Sequence, residues 1–312
     1  MFAGEAAQLS FCSLLSSLYC HCGHIMGTYA KILAASVCIV FLAIKWSAPT
    51  FDAESLKGAR VLVTGASTGI GEQMAYHYAR FGAQIVITAR REKVLQQVAE
   101  KCKSLGAQQV FYIAADMGND SDPDKVVEFA LETFGGLDYL VLNHIGPTPF
   151  GMWEGDVEHV KWLMKVNFFS YLQMAWRALD SLEQNKGSII VVSSLLGKLP
   201  SPFVAPYSST KWALNGFFGS LYHELWMKKS NVSITICTLG LIDTESAMSK
   251  VKDLTTAPAY PATDAALNII TAGALREAEL YYPYFTYIAA LTKDWFPSIT
   301  NYFIRATFKY NT

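Results

Sequence analysis

The sequence predicts a doubly wound α/β fold in one large domain, and three observations predict it. Short apolar, β-branched runs alternate with stretches of helical length from residue 60 to residue 239. The runs are continuously apolar rather than alternating in polarity, as parallel strands covered on both faces are. The first run leads directly into Gly65-Ala66-Ser67-Thr68-Gly69-Ile70-Gly71, a glycine-rich turn that opens a helix. With 52% hydrophobic residues the chain has material for one core, and no composition break divides residues 51–280.

The elements follow in order. Strands are predicted at residues 60–64, 84–88, 109–113, 139–143, 188–194 and 232–239. Helices are predicted from the glycine turn to about residue 81, then at 91–105, 123–133, 158–182 and 207–228. Neither an internal repeat nor a low-complexity stretch interrupts them.

The two ends carry the excess hydropathy, which averages +0.22 over the chain. Residues 32–44 are apolar or small between Lys31 and Lys45, and counting from Met26 to Trp46 gives a length that can span a bilayer. A cleaved secretory signal is the competing reading of 26–46, and residues 1–25 read as a leader extension. Residues 281–312 form an aromatic, charge-poor tail, read either as a segment that dips into a membrane or covers a dimer partner or as ordinary core packing, and in either case expected to shape the mouth of a lipophilic site. Asn119-Asp120-Ser121 and Asn231-Val232-Ser233 are glycosylation sequons, usable if the domain faces a secretory lumen. The expectation is an endoplasmic reticulum membrane protein with a luminal domain, or a secreted protein after signal cleavage.

Charge and cysteine usage exclude other classes. A net charge of -1 without a basic cluster offers no electrostatic footprint for nucleic acid. Of six cysteines, only Cys102 and Cys237 fall within 51–280, so no disulfide framework is expected. Cys20-His21-Cys22-Gly23-His24 lacks zinc-ligand spacing, and no metal is expected.

Tyr207 and Lys211 stand four apart at the start of a predicted helix, on one face. A phenol titrates near 10, and an adjacent ammonium favours its phenolate, so this pair can take or give a proton. Ser194, at the end of the strand before that helix, can hydrogen-bond the same substrate oxygen. An exposed helix pair is the plain alternative for Tyr-x-x-x-Lys alone. The glycine turn adds the second signal, because Gly65, Gly69 and Gly71 let backbone approach a pyrophosphate at a helix N-terminus in the Rossmann manner. After the second strand stand Arg90 and Arg91 rather than a carboxylate, which suits the 2′-phosphate of NADP. Asp116, beside Met117, ends the third strand where an adenine amino group would lie, and Asn143 ends the fourth where a ribose would lie.

Thr64-Gly65-Ala66-Ser67-Thr68-Gly69-Ile70-Gly71, Asn143, Asn167, Ser194, Tyr207 and Lys211, in this order, resemble the classical short-chain dehydrogenase/reductases over residues 51–280. Leu142-Asn143-His144-Ile145, Val191-Val192-Ser193-Ser194-Leu195 and Leu239-Gly240-Leu241-Ile242-Asp243-Thr244-Glu245 resemble the 11β-hydroxysteroid dehydrogenase type 1 branch. The resemblance implies that Tyr207 is the general acid/base, Lys211 its modulator and a ribose ligand, and Ser194 the partner of the carbonyl or alkoxide. It implies a water-holding relay role for Asn167, which also reads as a helix kink. It places His144 and Ile145 beside the cofactor, with residues 242–246 over the nicotinamide, Thr244 on its carboxamide and Ile242 and Ser246 flanking it.

Two departures stand out. Thr68 replaces a lysine of the close relatives at the phosphate site, and Ser201 replaces a tyrosine near the substrate. The expected activity is NADP(H)-dependent interconversion of 11β-hydroxy and 11-oxo glucocorticoids, in a homodimer paired through the helices at 158–182 and 207–228. A retinoid or other lipid carbonyl is the alternative substrate, for which Ser201 leaves room. A nucleotide-binding scaffold without turnover is the third reading, and it has no need of Ser194, Asn167, Tyr207 and Lys211 together.

Overall fold

The computed structural model describes residues 49–251 and 254–309, together with Ser36. The chain divides after Thr50, and the unit that begins at Phe51 is the one described below. The proposed leader, the anchor or signal segment apart from Ser36, and the Cys20 to His24 cluster lie outside the described residues. Among the described residues no helix is long and apolar enough to cross a membrane.

Six of the strands are those the apolar runs predict: β1 Arg60–Thr64, β2 Gln84–Ala89, β3 Gln109–Ala114, β4 Tyr139–Leu142, β5 Ser188–Val192 and β6 Ser233–Leu239. A seventh, β7 Glu279–Tyr282, joins them in one parallel sheet of order 3-2-1-4-5-6-7. The order reverses between β1 and β4, so the loops at their carboxyl ends part and leave a crevice. The expected end of the domain at residue 280 falls inside β7, so the sheet extends into the predicted tail. The tail then continues as two helices, Phe285–Trp295 and Pro297–Thr307.

The central strands are covered on both faces because successive strand residues point oppositely and most of them are apolar. Val61, Val63, Ile85, Ile87 and Ile190 face the helices α1 Gly69–Arg80, α2 Glu92–Leu105 and α7 Ala262–Ala274. Leu62, Val86, Leu140, Ile189 and Val191 face α3 Asp122–Phe134, α5 Ser170–Asn185 and α6 Ala205–Met227. Each such side chain contributes roughly 1.5–3 kcal/mol on burial. At the opposite edge from the crevice, Arg60 Nε and Nη2 donate to Asp138 at 2.9 and 2.7 Å, a fork that fixes the entry of β1 beside β4.

The helix expected over 158–182 is interrupted. It begins as α4 Val157–Met164, passes through a π turn at Lys165–Phe169, and resumes as α5. A π turn inserts one extra residue without disturbing the apolar stripe enough to show in a pattern, and such turns often mark functional positions. Asn167 lies in this turn.

Candidate active site

The site is built on the carboxyl edge of the sheet, starting from the glycine turn. Gly65 and Gly69 have φ of 65° and 64°, a region that favours glycine. A Cβ on Gly65 would lie 2.8 Å from His144 Cα, and one on Gly71 would collide with Gly65 O and sit 2.7 Å from Asn143 Nδ2. The Asn143 amide donates to Thr64 O at 3.1 Å and to Gly65 O at 3.4 Å, so it braces the turn from β4. Thr64 Oγ1 is the knot between the two strands: it meets Val141 O, the Asn143 amide N and His144 Nδ1 at 3.1, 2.8 and 2.9 Å.

His144 turns its imidazole away from the crevice and into the core. Nε2 sits 3.1 Å from Val166 O and 2.7 Å from Ser170 Oγ, and its carbonyl accepts from Tyr171 Oη at 2.7 Å. Burial, helped by the Lys211 ammonium, pushes the ring down to about 3, so it is neutral. Its side chain is a brace, and only its backbone fronts the glycine turn. Sequence reasoning, which grouped it with Ile145, had no signal for this inward orientation.

Arg91 and Arg90 separate in the structure. Arg91 Nη2 donates to Ser67 Oγ at 3.2 Å and Thr68 Oγ1 at 3.3 Å, laying the guanidinium across the turn, while Arg90 is exposed with no such contact. Asp116 is half-buried at the end of β3, one carboxylate oxygen accepting from Gly118 N at 2.9 Å, and Met117 beside it is buried. Ala66, after the first glycine, is buried, and its N–H donates to Thr88 O at 3.1 Å.

A cavity of about 980 Å³ opens beside this turn. Ser194, Tyr207 and Lys211 line it together. So do Ile70, Asn143 and Ile145 on the β1 and β4 side, and Ile242, Thr244 and Ser246 after β6. Asn167 lies behind it, fully buried, its Oδ1 accepting from Gly146 N at 2.7 Å and its Nδ2 donating to Thr210 Oγ1 at 3.2 Å. The far wall comes from the last two helices, through Phe285, Ile288, Phe296, Ile299 and Phe303. The expectation that the tail shapes a lipophilic mouth names the right segment, but its helices and their inward faces carry no signal in an evenly aromatic stretch.

The electrostatics of the pair differ from the sequence expectation. Lys211 is buried, and its Nζ donates to Val192 O at 2.7 Å and stands 5.6 Å from the Tyr207 ring centroid. Burial lowers it to about 7. The Tyr207 phenol is pushed up to about 12, because burial outweighs the hydrogen bond with Ser194 that draws it down. The expected lowering by an adjacent ammonium is therefore corrected: within the protein alone desolvation wins, and the ammonium meets the ring face rather than the hydroxyl. Tyr171, missed in the sequence, flanks the same ammonium at 5.7 Å.

These features fit a dinucleotide. Side-chain-free backbone borders a crevice at the sheet's reversal point, a guanidinium crosses the turn, and a buried ammonium offers three donors with one accepting partner among the described residues. Comparison with known proteins agrees: the family described as short chain dehydrogenase matches residues 59–255, and the chain belongs to that family of oxidoreductases. It is 64% identical to the hydroxysteroid 11-beta-dehydrogenase 1-like protein of Danio rerio, across 92% of this chain and the full length of that relative. The protein of the same name from Gallus gallus is 61% identical, over 83% of this chain and 90% of the relative. Among solved structures, a short chain dehydrogenase from Burkholderia cenocepacia J2315 in complex with NADP superposes with a TM-score of 0.65 at 25% identity. That match covers 73% of this chain and 97% of the other.

Proposed function

We propose that the chain is an NADP(H)-dependent hydroxysteroid dehydrogenase that interconverts 11β-hydroxy and 11-oxo glucocorticoids of the cortisol and cortisone type. The observation that carries this reading is the shared exposure of Ser194, Tyr207 and Lys211 to one large, apolar cavity bordered by the glycine turn. The relatives' name, hydroxysteroid 11-beta-dehydrogenase 1-like protein, supports the steroid. The NADP of the 25% identical structure supports the cofactor, as does Arg91 beside Ser67 and Thr68, a cation where a 2′-phosphate is expected.

The glycine turn, Arg91 with Arg90, Asp116, Met117, Asn143, Ile145 and Lys211 would hold the dinucleotide, with Ile242, Thr244 and Ser246 over its nicotinamide. When bound, the nicotinamide supplies or accepts the hydride. Ser194 Oγ would donate to the substrate oxygen and fix it beside Tyr207. The Tyr207 hydroxyl gives that oxygen a proton in reduction and takes one in oxidation. A phenol pushed up to about 12 is protonated at neutral pH, the state in which it donates to the substrate oxygen in reduction. Lys211 offsets the charge left when Tyr207 loses its proton, and Asn167, in the π turn, would hold the water through which Lys211 exchanges protons with solvent.

Ser201 favours a second reading, reduction of a retinoid or another lipid carbonyl, because it lines the cavity and puts a small polar side chain there. The proposed setting is the lumen of the endoplasmic reticulum; Asn119 and Asn231 are both exposed, as glycosylation there requires. The proposed homodimer would cover Trp176, Trp212 and Trp226, exposed on α5 and α6. Nicotinamide absorbance on the purified protein tests the reading, with cortisol or cortisone, each with NADP(H) and NAD(H), beside retinoid and simple carbonyl substrates. Steroid turnover that prefers NADP(H) is expected. Turnover of the non-steroid carbonyls alone contradicts the steroid assignment.

A further inference from the structure

The proposed reaction leaves a buried imidazole beside the crevice without a task. The His144 ring takes no part in the hydride or proton steps, and burial keeps it neutral, down to about 3. An aliphatic side chain would fill that space without desolvating two ring nitrogens. The ring's partners show what it does instead. Nδ1 lies 2.9 Å from Oγ1 of Thr64, the residue before the glycine turn, and Nε2 lies 2.7 Å from Ser170 Oγ and 3.1 Å from Val166 O. Val166 and Ser170 stand on either side of Asn167, within and just after the π turn.

The bonding is directional. Ser170 N donates to Lys165 O, five residues back, and a helix returning from that spacing to α spacing leaves one carbonyl over at the joint. Val166 O is the next carbonyl along, and the Ser170 hydroxyl donates to it at 2.6 Å. A carbonyl only accepts, so the one Ser170 Oγ proton is committed there, and Nε2–H donates to Ser170 Oγ. In a neutral ring Nδ1 then accepts from the Thr64 hydroxyl. The chain Thr64, His144, Ser170, Val166 O ties the end of β1 to the turn that carries Asn167. Two more bonds join the same stretches: Gly146 N donates to Asn167 Oδ1, and Tyr171 Oη donates to His144 O, both at 2.7 Å. On its other side Asn167 Nδ2 donates to Oγ1 of Thr210, the neighbour of Lys211.

We infer that His144 is a positioning residue: its Nε2–H, through Ser170 and the Val166 carbonyl, holds the π turn so that Asn167 stays in register with Lys211 for proton supply to Tyr207. This rests on the proposed carbonyl reduction, and adds to its proton path a side chain that touches neither substrate nor reacting atoms.

Three substitutions separate the two nitrogens. His144→Gln carries an amide N–H to the place of Nε2, His144→Asn reaches only the place of Nδ1, and His144→Leu keeps the bulk and loses both. Each is assayed with NADPH and cortisone, or with whichever carbonyl of the panel the wild type reduces, in water and in deuterium oxide. His144→Leu and His144→Asn should lower kcat about tenfold, with substrate KM and NADPH affinity within about threefold of wild type. Their solvent isotope effect on kcat should rise, since proton supply then weighs more in the rate. His144→Gln should keep kcat within about threefold.

Full kcat in His144→Leu overturns the inference. So does a fall in kcat without a rise in the isotope effect, which would make the ring a packing residue. Loss of NADPH affinity in place of kcat overturns it by assigning the ring to the glycine turn through Thr64, and no advantage of His144→Gln over His144→Asn overturns it by making the Val166 contact idle. Should His144→Leu fail to fold, the other two variants decide alone. All these results leave the proposed function standing, whereas wild-type protein that reduces no carbonyl contradicts that function and the inference with it.

Discussion

The glycine turn after β1 and the cavity wall formed by the last two helices border one crevice, yet they are made from opposite materials. The turn is backbone: its glycines are fixed by positive φ at Gly65 and Gly69 and by neighbours that leave no room for a Cβ, and it is braced by the hydrogen bonds of Thr64 Oγ1 and the Asn143 side-chain amide. The wall is side chain, with Phe285, Ile288, Phe296, Ile299 and Phe303 presenting apolar surface and no fixed polar contact. A backbone cradle tolerates almost no substitution and suits a ligand common to a whole family. An apolar wall of replaceable side chains suits a ligand that differs from member to member.

Breaking the cradle is expected to give the largest effect on cofactor affinity. Gly71→Val drives a side chain into Gly65 O and the Asn143 amide, which overpacks the turn by about 1–3 kcal/mol. The displaced backbone should weaken NADPH binding by roughly 10- to 100-fold, read by quenching of protein fluorescence. Enlarging a side chain on the wall instead, by Ile299→Phe at a half-exposed position, should leave NADPH affinity within about twofold and alter substrate KM. Equal effects of the two on cofactor affinity would erase the contrast.

Lys211 sharpens it, since this residue belongs to both halves. Its pKa of about 7 in the folded protein lies below the roughly 10.4 of an unfolded chain. Between these values the unfolded state holds more protons, so its contribution to stability rises with pH across that window. Below about 7 both states are protonated and the burial penalty is complete. Lys211→Met should therefore melt higher than wild type at pH 7, a difference that shrinks as pH rises towards 10, while turnover falls. A variant less stable than wild type at pH 7 would show that the ammonium is compensated.

A smaller effect than that of the cradle is expected at Arg91. Arg91→Gln removes the guanidinium from Ser67 and Thr68, and should narrow the NADPH-over-NADH preference about tenfold while leaving NADH affinity nearly unchanged. Arg90→Gln, on the exposed neighbour, should do less. The reverse order would exchange their roles.

The same contrast explains what the sequence makes legible. The six strands, the glycine turn and the Ser194, Tyr207 and Lys211 set depend on local spacing, and local spacing is what a sequence displays. Asn143 was placed correctly at the end of its strand, although its bracing of Gly65 requires the sheet. His144 looked like a cofactor contact because its neighbours Asn143 and Ile145 line the crevice; its inward turn depends on Thr64, Val166 and Ser170, which come from other elements. Helix spacing gives Tyr207 proximity to Lys211, whereas the burial that raises the phenol depends on tertiary packing, which local spacing does not display. Strand β7 escaped notice because Glu279–Tyr282 is a short edge run at the boundary of an aromatic stretch.

The central claim is that the two halves meet at Tyr207, where cofactor binding and proton transfer can be separated. Tyr207→Phe, measured side by side for steroid turnover and for NADPH affinity, tests it most directly. Turnover should fall by roughly 10²- to 10⁴-fold with NADPH affinity nearly unchanged. Turnover at the wild-type rate would contradict the assignment of the proton to Tyr207.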